Sequence, residues 1–333
     1  MALEVLDGGW LTTVQDLGRP GYGRYGIPVS GAMDFFALRV ANRLVGNPPG
    51  AAGLEITLAG PVLATTEPCL VAVTGADLTF QVDGREMPMG MSVFVRRGSV
   101  ISFGGRRRGC RAYLAVAGGI EVPPVLGSRS TYLPGRFGGL DGRALRPGDR
   151  LFIGPVSGPL PERSGRRAPP HLIPVWDDCP TVRAVPGPQD DHFTPEGLRT
   201  FFEAEYRVLS SSDRMGYRLE GPPVAHRRAE IISDGVPPGA VQVPPDGQPL
   251  VMMTDHQTTG GYPKIATVVT VDLPLLAQCV PGESRVRFWA VDVSEAQRAY
   301  REMMGALDRW ERASADDYTK IMTIRKDNDR TKR

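Results

Sequence analysis

The chain is poor in the residues that most often carry chemistry: its 333 residues include four cysteines and four histidines. Cys69, Cys110, Cys179 and Cys279 lie at least 41 positions apart, so there is no CxxC pair. A zinc knuckle or a thioredoxin-type redox pair is therefore not expected. His171, His192, His226 and His256 form no close pair, which argues against a histidine-rich metal site. No apolar run approaches the ~18 residues that span a bilayer. MALEVLDGGW at the N-terminus lacks a basic segment followed by an apolar one, so no signal peptide is visible. A reducing cytoplasm with free buried thiols is the expected setting.

The standard catalytic signatures are missing as well. There is no GxxxxGK[ST], no GxSxG and no HExxH. GYGRYG (Gly21 to Gly26) matches GxGxxG in letters, but QDLGRP precedes it and IPVSG follows. A dinucleotide fingerprint needs a strand before and a helix immediately after, so the match is rejected. A net charge of +2 points to no particular partner. The basic runs RRRG (Arg106 to Gly109) and ERSGRRAPP (Glu162 to Pro170) lack interleaved aromatics and read as solvated loops, not as a nucleic-acid patch.

What the chain has in excess is glycine (40) and proline (31), scattered without a period. With 41% hydrophobic and 23% charged residues, this describes a globular chain of many turns between short strands, long enough for two domains. Leu70 to Gly105 is a series of apolar–polar alternations broken by glycines, and Asp83-Gly84 is a hairpin signal. Arg111 to Ile120 adds a strand that ends in paired glycines. Ala32 to Gly46 has the 3.6-residue period of a helix, with Asp34 in its first turn and Gly46 as its stop. Gly154 to Pro174 loses periodicity and reads as a linker. Beyond it, Thr194 to Tyr206 reads as a helix capped by Thr194, with Pro195 at its first position. Strands are expected at Thr181 onward, Arg207 to Leu209, Ala240 to Val243, Leu250 to Thr254 and Ile265 to Val271. Ser294 to Ser314 reads as an amphipathic helix capped by Ser294, followed by a charged, fraying tail.

Five polar, glycine-bearing clusters fall between these elements. The first, Thr12 to Asp34, presents Gln15, Asp16, Arg19, Ser30 and Asp34. The second, Leu126 to Gly139, presents Arg129, Ser130 and Thr131 beside backbone amides that would suit a phosphate or carboxylate. The third, Ser210 to Pro222, carries Asp213 and Arg214; the fourth, Gly235 to Pro249, carries Gln242 and Asp246. The fifth, Thr254 to Lys264, crowds Asp255, Gln257, Thr258, Gly260, Gly261, Tyr262 and Lys264 at the mouth of a strand. Any one of them alone reads as a plausible loop. Five such loops in one β-rich chain favour function on a rigid scaffold.

QDLGRPGY, PVSGAMD, LAVAGGI, LGSRSTY, GPQDDHF, SDRMGYRLEG, PPDGQP and TTGGYPKIATV occur in this order between Leu11 and Phe288. Together they resemble the KipA-like family. That family includes the C subunit of prokaryotic 5-oxoprolinase and the allophanate hydrolase subunit 2 proteins, and is related to the carboxyltransferase part of urea carboxylase. The resemblance implies a mainly β fold with a few helices, built from two cyclophilin-like β-barrel domains at 1–155 and 179–293. A linker at 156–178 and a C-terminal helix and tail at 294–333 would complete the chain. It also implies ATP-dependent ring opening of 5-oxo-L-proline to L-glutamate, with the KipI-like B subunit and the A subunit of 5-oxoprolinase as partners. ATP and Mg²⁺ would enter with that complex.

In this scheme Lys264 neutralises developing charge, and Arg214 or Arg129 meets a carboxylate or phosphate. Asp255 or Asp34 positions Mg²⁺ or the lactam N–H. Phosphoryl transfer relies on positioning and charge more than on a covalent nucleophile, so a chain without a triad can still take part. Two other family activities stay open: a KipA-type regulator that binds a KipI-like kinase inhibitor, and a carboxyltransferase subunit of a urea-type carboxylase. The latter needs biotin, and no AMKM-type attachment hairpin occurs in this chain.

Overall fold

The computed structural model describes residues 1–156, 158–173 and 176–310. Strands up to Ile153 form a seven-stranded and a five-stranded sheet; seven strands from Thr181 to Ala290 close into a barrel. The chain is mainly β. Among the described residues no helix is long and apolar enough to cross a membrane.

The five-stranded sheet runs, in spatial order, Leu11–Gln15, Gly53–Thr57, Arg108–Val116, Cys69–Asp77 and Ser92–Val95. Successive side chains of a strand point to opposite faces, so one face of this sheet carries Val14, Leu54, Ile56, Val71, Val73, Ala112 and Leu114. These residues pack against Leu3, Val5, Leu63, Phe80, Ile101 and Leu151 of the seven-stranded sheet to form the first core. On the other face, Leu70, Ala72 and Ala115 meet Phe36, Val40, Ala41 and Leu44 of the helix Phe35–Val45. Strand Cys69–Asp77 is covered on both faces, which is why it reads as a nearly continuous apolar run. Each fully buried Val, Leu or Phe at these positions contributes about 1.5–3 kcal/mol relative to exposure.

The helix Phe35–Val45 stops as its sequence implies but starts later than the expected Ala32, so Asp34 is its N-cap and not a first-turn residue. The Asp34 carboxylate accepts from Ala37 N at the N-cap, and Gly46 ends the helix at φ 83°. Asp83 and Gly84 both adopt positive φ (51° and 73°), as the hairpin signal requires. The segment after Ile153 is irregular but docked. Ala168 and Leu172 are buried against the helix face, and Ser92 exchanges backbone hydrogen bonds with Gly165 and Arg166.

The barrel closes through Thr181–Pro186, Lys264–Val268, Ala240–Gln242, Leu250–Met252, Gly216–Glu220, Glu205–Val208 and Arg285–Ala290. Its core holds Val182, Tyr217, Val241, Val251, Ile265 and Phe288, with Phe201 of the Thr194-capped helix Pro195–Glu203 stacked on Phe288 at 4.5 Å. Met33, from the segment leading into the first helix, inserts into this second core.

Two further sequence expectations are corrected. The strand expected to reach Val271 ends at Val268. Asp272 accepts from Arg183 N, Nε and Nη2 at 2.6–2.9 Å, and the chain turns into the short helix Leu273–Ala277. The C-terminal helix begins at 293, and its cap is Asp292, whose carboxylate accepts from Glu295 N at 2.8 Å; Ser294 lies inside the first turn. Residues 311–314 of the expected helix, and the charged tail, fall outside the described residues.

Candidate functional site

The site begins on the helix-bearing face of the five-stranded sheet, opposite its first core. Register places Thr13, Glu55, Tyr113 and Thr74 in one row across four strands, with Leu11, Thr57 and Arg111 in the next. Glu55, Tyr113 and Arg111 are all buried. Isolated charges at such depth would be strongly destabilising, so this face requires partners.

The barrel supplies them. Arg214, just ahead of strand Gly216–Glu220, donates from Nε and Nη2 to Asp255 at 2.8 and 3.2 Å and from Nη2 to Gly31 O at 2.6 Å. Its Nη1 donates to Glu55 Oε1. Arg111 reaches in the opposite sense, donating to the Tyr217 hydroxyl at 2.5 Å and Ala277 O at 2.6 Å. Gln278 accepts from Cys110 N and Arg111 N and donates to Asp34 at 2.9 Å. Tyr113 donates to Glu55 Oε2 at 2.8 Å and accepts from Asp34 N. Burial opposes the Arg214 charge, but Asp255 and Glu55 outweigh it and hold its pKa above the ordinary value. Asp34 is pushed up to about 6, chiefly by burial, with the Glu55 charge adding to it.

This network floors a cleft of about 520 Å³, within the range of small-molecule sites. Arg111, Arg214 and Asp255 face it from below; Trp10, Leu133 and Met215 supply apolar walls. Trp10 is 75% exposed at its mouth.

The first and second polar clusters come together beside it. Asp16 accepts from Ser128 Oγ at 2.6 Å, Ser130 Oγ at 2.5 Å and Arg129 N at 2.6 Å. Gln15 Nε2 donates to Thr13 Oγ1 and Thr131 O; Arg19 Nη2 donates to Ser130 O. Arg19 packs over the Phe137 ring at 5.0 Å and makes no hydrogen bond to Asp16. Burial pushes its pKa down, and the charges of Asp16 and Asp255 act through space against that push. The Arg129 guanidinium turns away, to Val122 O and Glu121.

The fifth cluster splits. Asp255 points inward to Arg214, whereas buried Lys264 donates to Asp234 at 2.7 Å and Gly235 O at 3.2 Å. Strand Asp234–Gly235 pairs with Thr259–Gly260, so this end is a separate tie. A Cβ at Gly260 would lie 2.5 Å from the Gln242 amide, so that side chain would have to shift. Gln242 donates to Tyr262 O, Gly261 O accepts from Ile231 N, and Thr258 O accepts from Val236 N. Gln257 and Tyr262 are exposed, and Asp246 closes its own turn through Gln248 N. Glu55, Arg111, Tyr113, Tyr217 and Gln278 are not in the sequence-derived set. Their only sequence signal is a polar residue at alternate positions of an otherwise apolar strand or helix end.

Among the described residues no group of three or more Asp, Glu, His or Cys could hold a metal. Glu55 and Asp255 are committed to Arg214, and Asp34 to its helix and Gln278. The donor set therefore does not fit a resident Mg²⁺.

With 40% identity over 301 residues, the chain is similar to the 5-oxoprolinase C subunit of Escherichia coli; the match covers 90% of this chain and 94% of that one. The Haemophilus influenzae protein of the same name is 37% identical, over 92% and 97%. The Kluyveromyces lactis urea amidolyase structure superposes with a TM-score of 0.87 at 33% identity, covering 92% of this chain but 20% of that enzyme. The family profile described as carboxyltransferase domain, subdomain A and B, matches residues 25–290. The chain belongs to this carboxyltransferase-domain family.

Proposed function

We propose that this chain is the C subunit of a 5-oxoprolinase. It acts with the KipI-like B subunit and the A subunit in the ATP-dependent opening of 5-oxo-L-proline to L-glutamate. The observation that carries the reading is the near end-to-end match, at 40% identity, to a protein named for that role. The match to urea amidolyases covers only a small part of those enzymes. The cleft supports the reading as a binding place. It is small, polar at its floor and apolar at its walls, as small-molecule sites are.

A lactam is a poor electrophile, and phosphorylation of its carbonyl oxygen turns that oxygen into a leaving group. This chain's share in such a step is positioning and charge balance. Arg214 and Arg111 against Glu55 and Asp255 keep the floor near neutral and rigid, so an incoming anion meets preorganised dipoles. Lys264, in its separate tie outside the cleft, adds a buried cation whose counter-ion Asp234 lies exposed. ATP and its Mg²⁺ enter with the partner. The test is L-glutamate formation from 5-oxo-L-proline by this chain together with both of its partner proteins. Formation that stops when this chain is omitted supports the reading; undiminished formation without it contradicts the reading.

A further inference from the structure

Behind the Tyr132–Phe137 turn that walls the cleft, three buried side chains hold polar atoms without a protein partner. Arg19, 1% exposed, has no acceptor for Nε or Nη1; Gln15 has no donor to Oε1; Ser30 Oγ has neither. Native interiors contain few such atoms, because each costs free energy when left unpaired. These three are also brought together by the backbone. Gln15 and Arg19 both grip the short stretch Ser130–Thr131, through Thr131 O and Ser130 O. Arg19 N donates to Val29 O at 2.7 Å, which sets Ser30 alongside. Ser30 is held at φ 55°, an uncommon conformation for a residue with a Cβ, and its N donates to Thr254 O next to Asp255.

The chemistry of the free atoms is specific. The Gln15 amide orientation is fixed, because its Nε2 serves a carbonyl, so Oε1 is an acceptor that seeks an N–H. Arg19 presents cationic donors that seek an anionic oxygen, and no carboxylate accepts from it among the described residues. Asp16, the nearest acid in sequence, is already taken by Ser128, Ser130 and the amides of Gly18 and Arg129. A hydroxyl on Ser30 can serve either need.

We propose that Gln15, Arg19 and Ser30 form the binding site for a small ligand that carries a carboxylate beside an N–H. Arg19 holds the carboxylate and Gln15 Oε1 receives the N–H. 5-Oxo-L-proline carries both groups on one carbon, so the choice of probe, though not the site, rests on the function proposed above. The protein without ligand then tolerates a buried cation whose counter-ion is the substrate.

The test is calorimetric titration of the full chain, alone and co-purified with its KipI-like partner, with 5-oxo-L-proline. Pyrrolidin-2-one, which lacks the carboxylate, and N-carbamoylglycine, an open-chain acid with an N–H, serve as comparisons. Arg19→Met is expected to weaken 5-oxo-L-proline binding by at least ~30-fold, and Ser30→Ala by about 5-fold. Pyrrolidin-2-one binds weakly to wild type and is unaffected by Arg19→Met. Arg19→Met also melts no lower than wild type, because it removes an unpaired buried charge; a purely structural arginine would show a lower melting temperature. If Arg19→Met does not fold, Ser30→Ala decides alone. Binding of 5-oxo-L-proline that neither substitution weakens overturns the site while leaving the proposed function standing. Arg19-dependent binding of N-carbamoylglycine but not 5-oxo-L-proline keeps the site and overturns the proposed function. No binding of either acid, with or without the partner, overturns the site.

Discussion

Arg214 is the residue on which the junction between sheet and barrel depends most. It spends its donors on Glu55 from the sheet, Asp255 from the barrel and Gly31 O from the segment entering the first helix. Arg214→Met leaves Asp255 buried without its cation and Glu55 with only Arg111, 3.9 Å away, and urea denaturation should show a loss of about 3–5 kcal/mol. Asp34 gives a pH-dependent test. Its folded pKa of about 6 lies above the ordinary 3.8, so the folded chain binds this proton more tightly than the unfolded one. Its ionisation therefore costs stability above pH 6, and the cost fades as pH falls through 6 toward 4. Asp34→Asn should remove this component. The stability difference between wild type and variant, measured by denaturation at several pH values, should change across that window and be flat above it. Lys264→Ala should lower substrate-coupled ATP turnover about 100-fold. The complex should stay assembled, because Asp234 remains exposed to water once its cation is removed. Undiminished turnover would take Lys264 out of the chemistry.

At this scale the sequence is legible where a polar residue sits in a glycine-bearing loop, and illegible where it sits in a strand. Arg214, Asp255 and Asp34 stand out for that reason. Glu55 and Arg111 do not, because alternating polar positions in a strand ordinarily mean a face turned to water. In this chain that face meets the barrel, and alternation cannot say which of the two it will meet.

Elements are legible wherever local chemistry decides. The cap Thr194, the stop at Gly46 and the Asp83-Gly84 turn all follow from backbone requirements their own residues meet. The misses arise from competition. Ser294 and Asp292 are both good caps, and the helix takes the earlier one. Asp292→Ala should cost about 1 kcal/mol in thermal or chemical denaturation, and Ser294→Ala much less. Equal losses would contradict this assignment. The strand beyond Val268 reads as continuing because its residues stay β-branched. Its end is set by the ion pair between Asp272 and Arg183, 89 positions away, which no local pattern reveals.

For the whole molecule, the family follows from motifs spread over most of the chain, whereas the proposed activity rests on partners that the chain itself does not reveal. The five-stranded sheet and the barrel meet through a buried charge network, and the cleft above that network opens beside the exposed Trp10. Such a chain is equipped to bind and orient, and the proposed reaction draws its nucleotide from a second protein. The most direct measurement is therefore ATP hydrolysis by this chain co-purified with the proposed KipI-like partner, with and without 5-oxo-L-proline. The account predicts hydrolysis only when 5-oxo-L-proline is present. Equal hydrolysis in its presence and absence would contradict it.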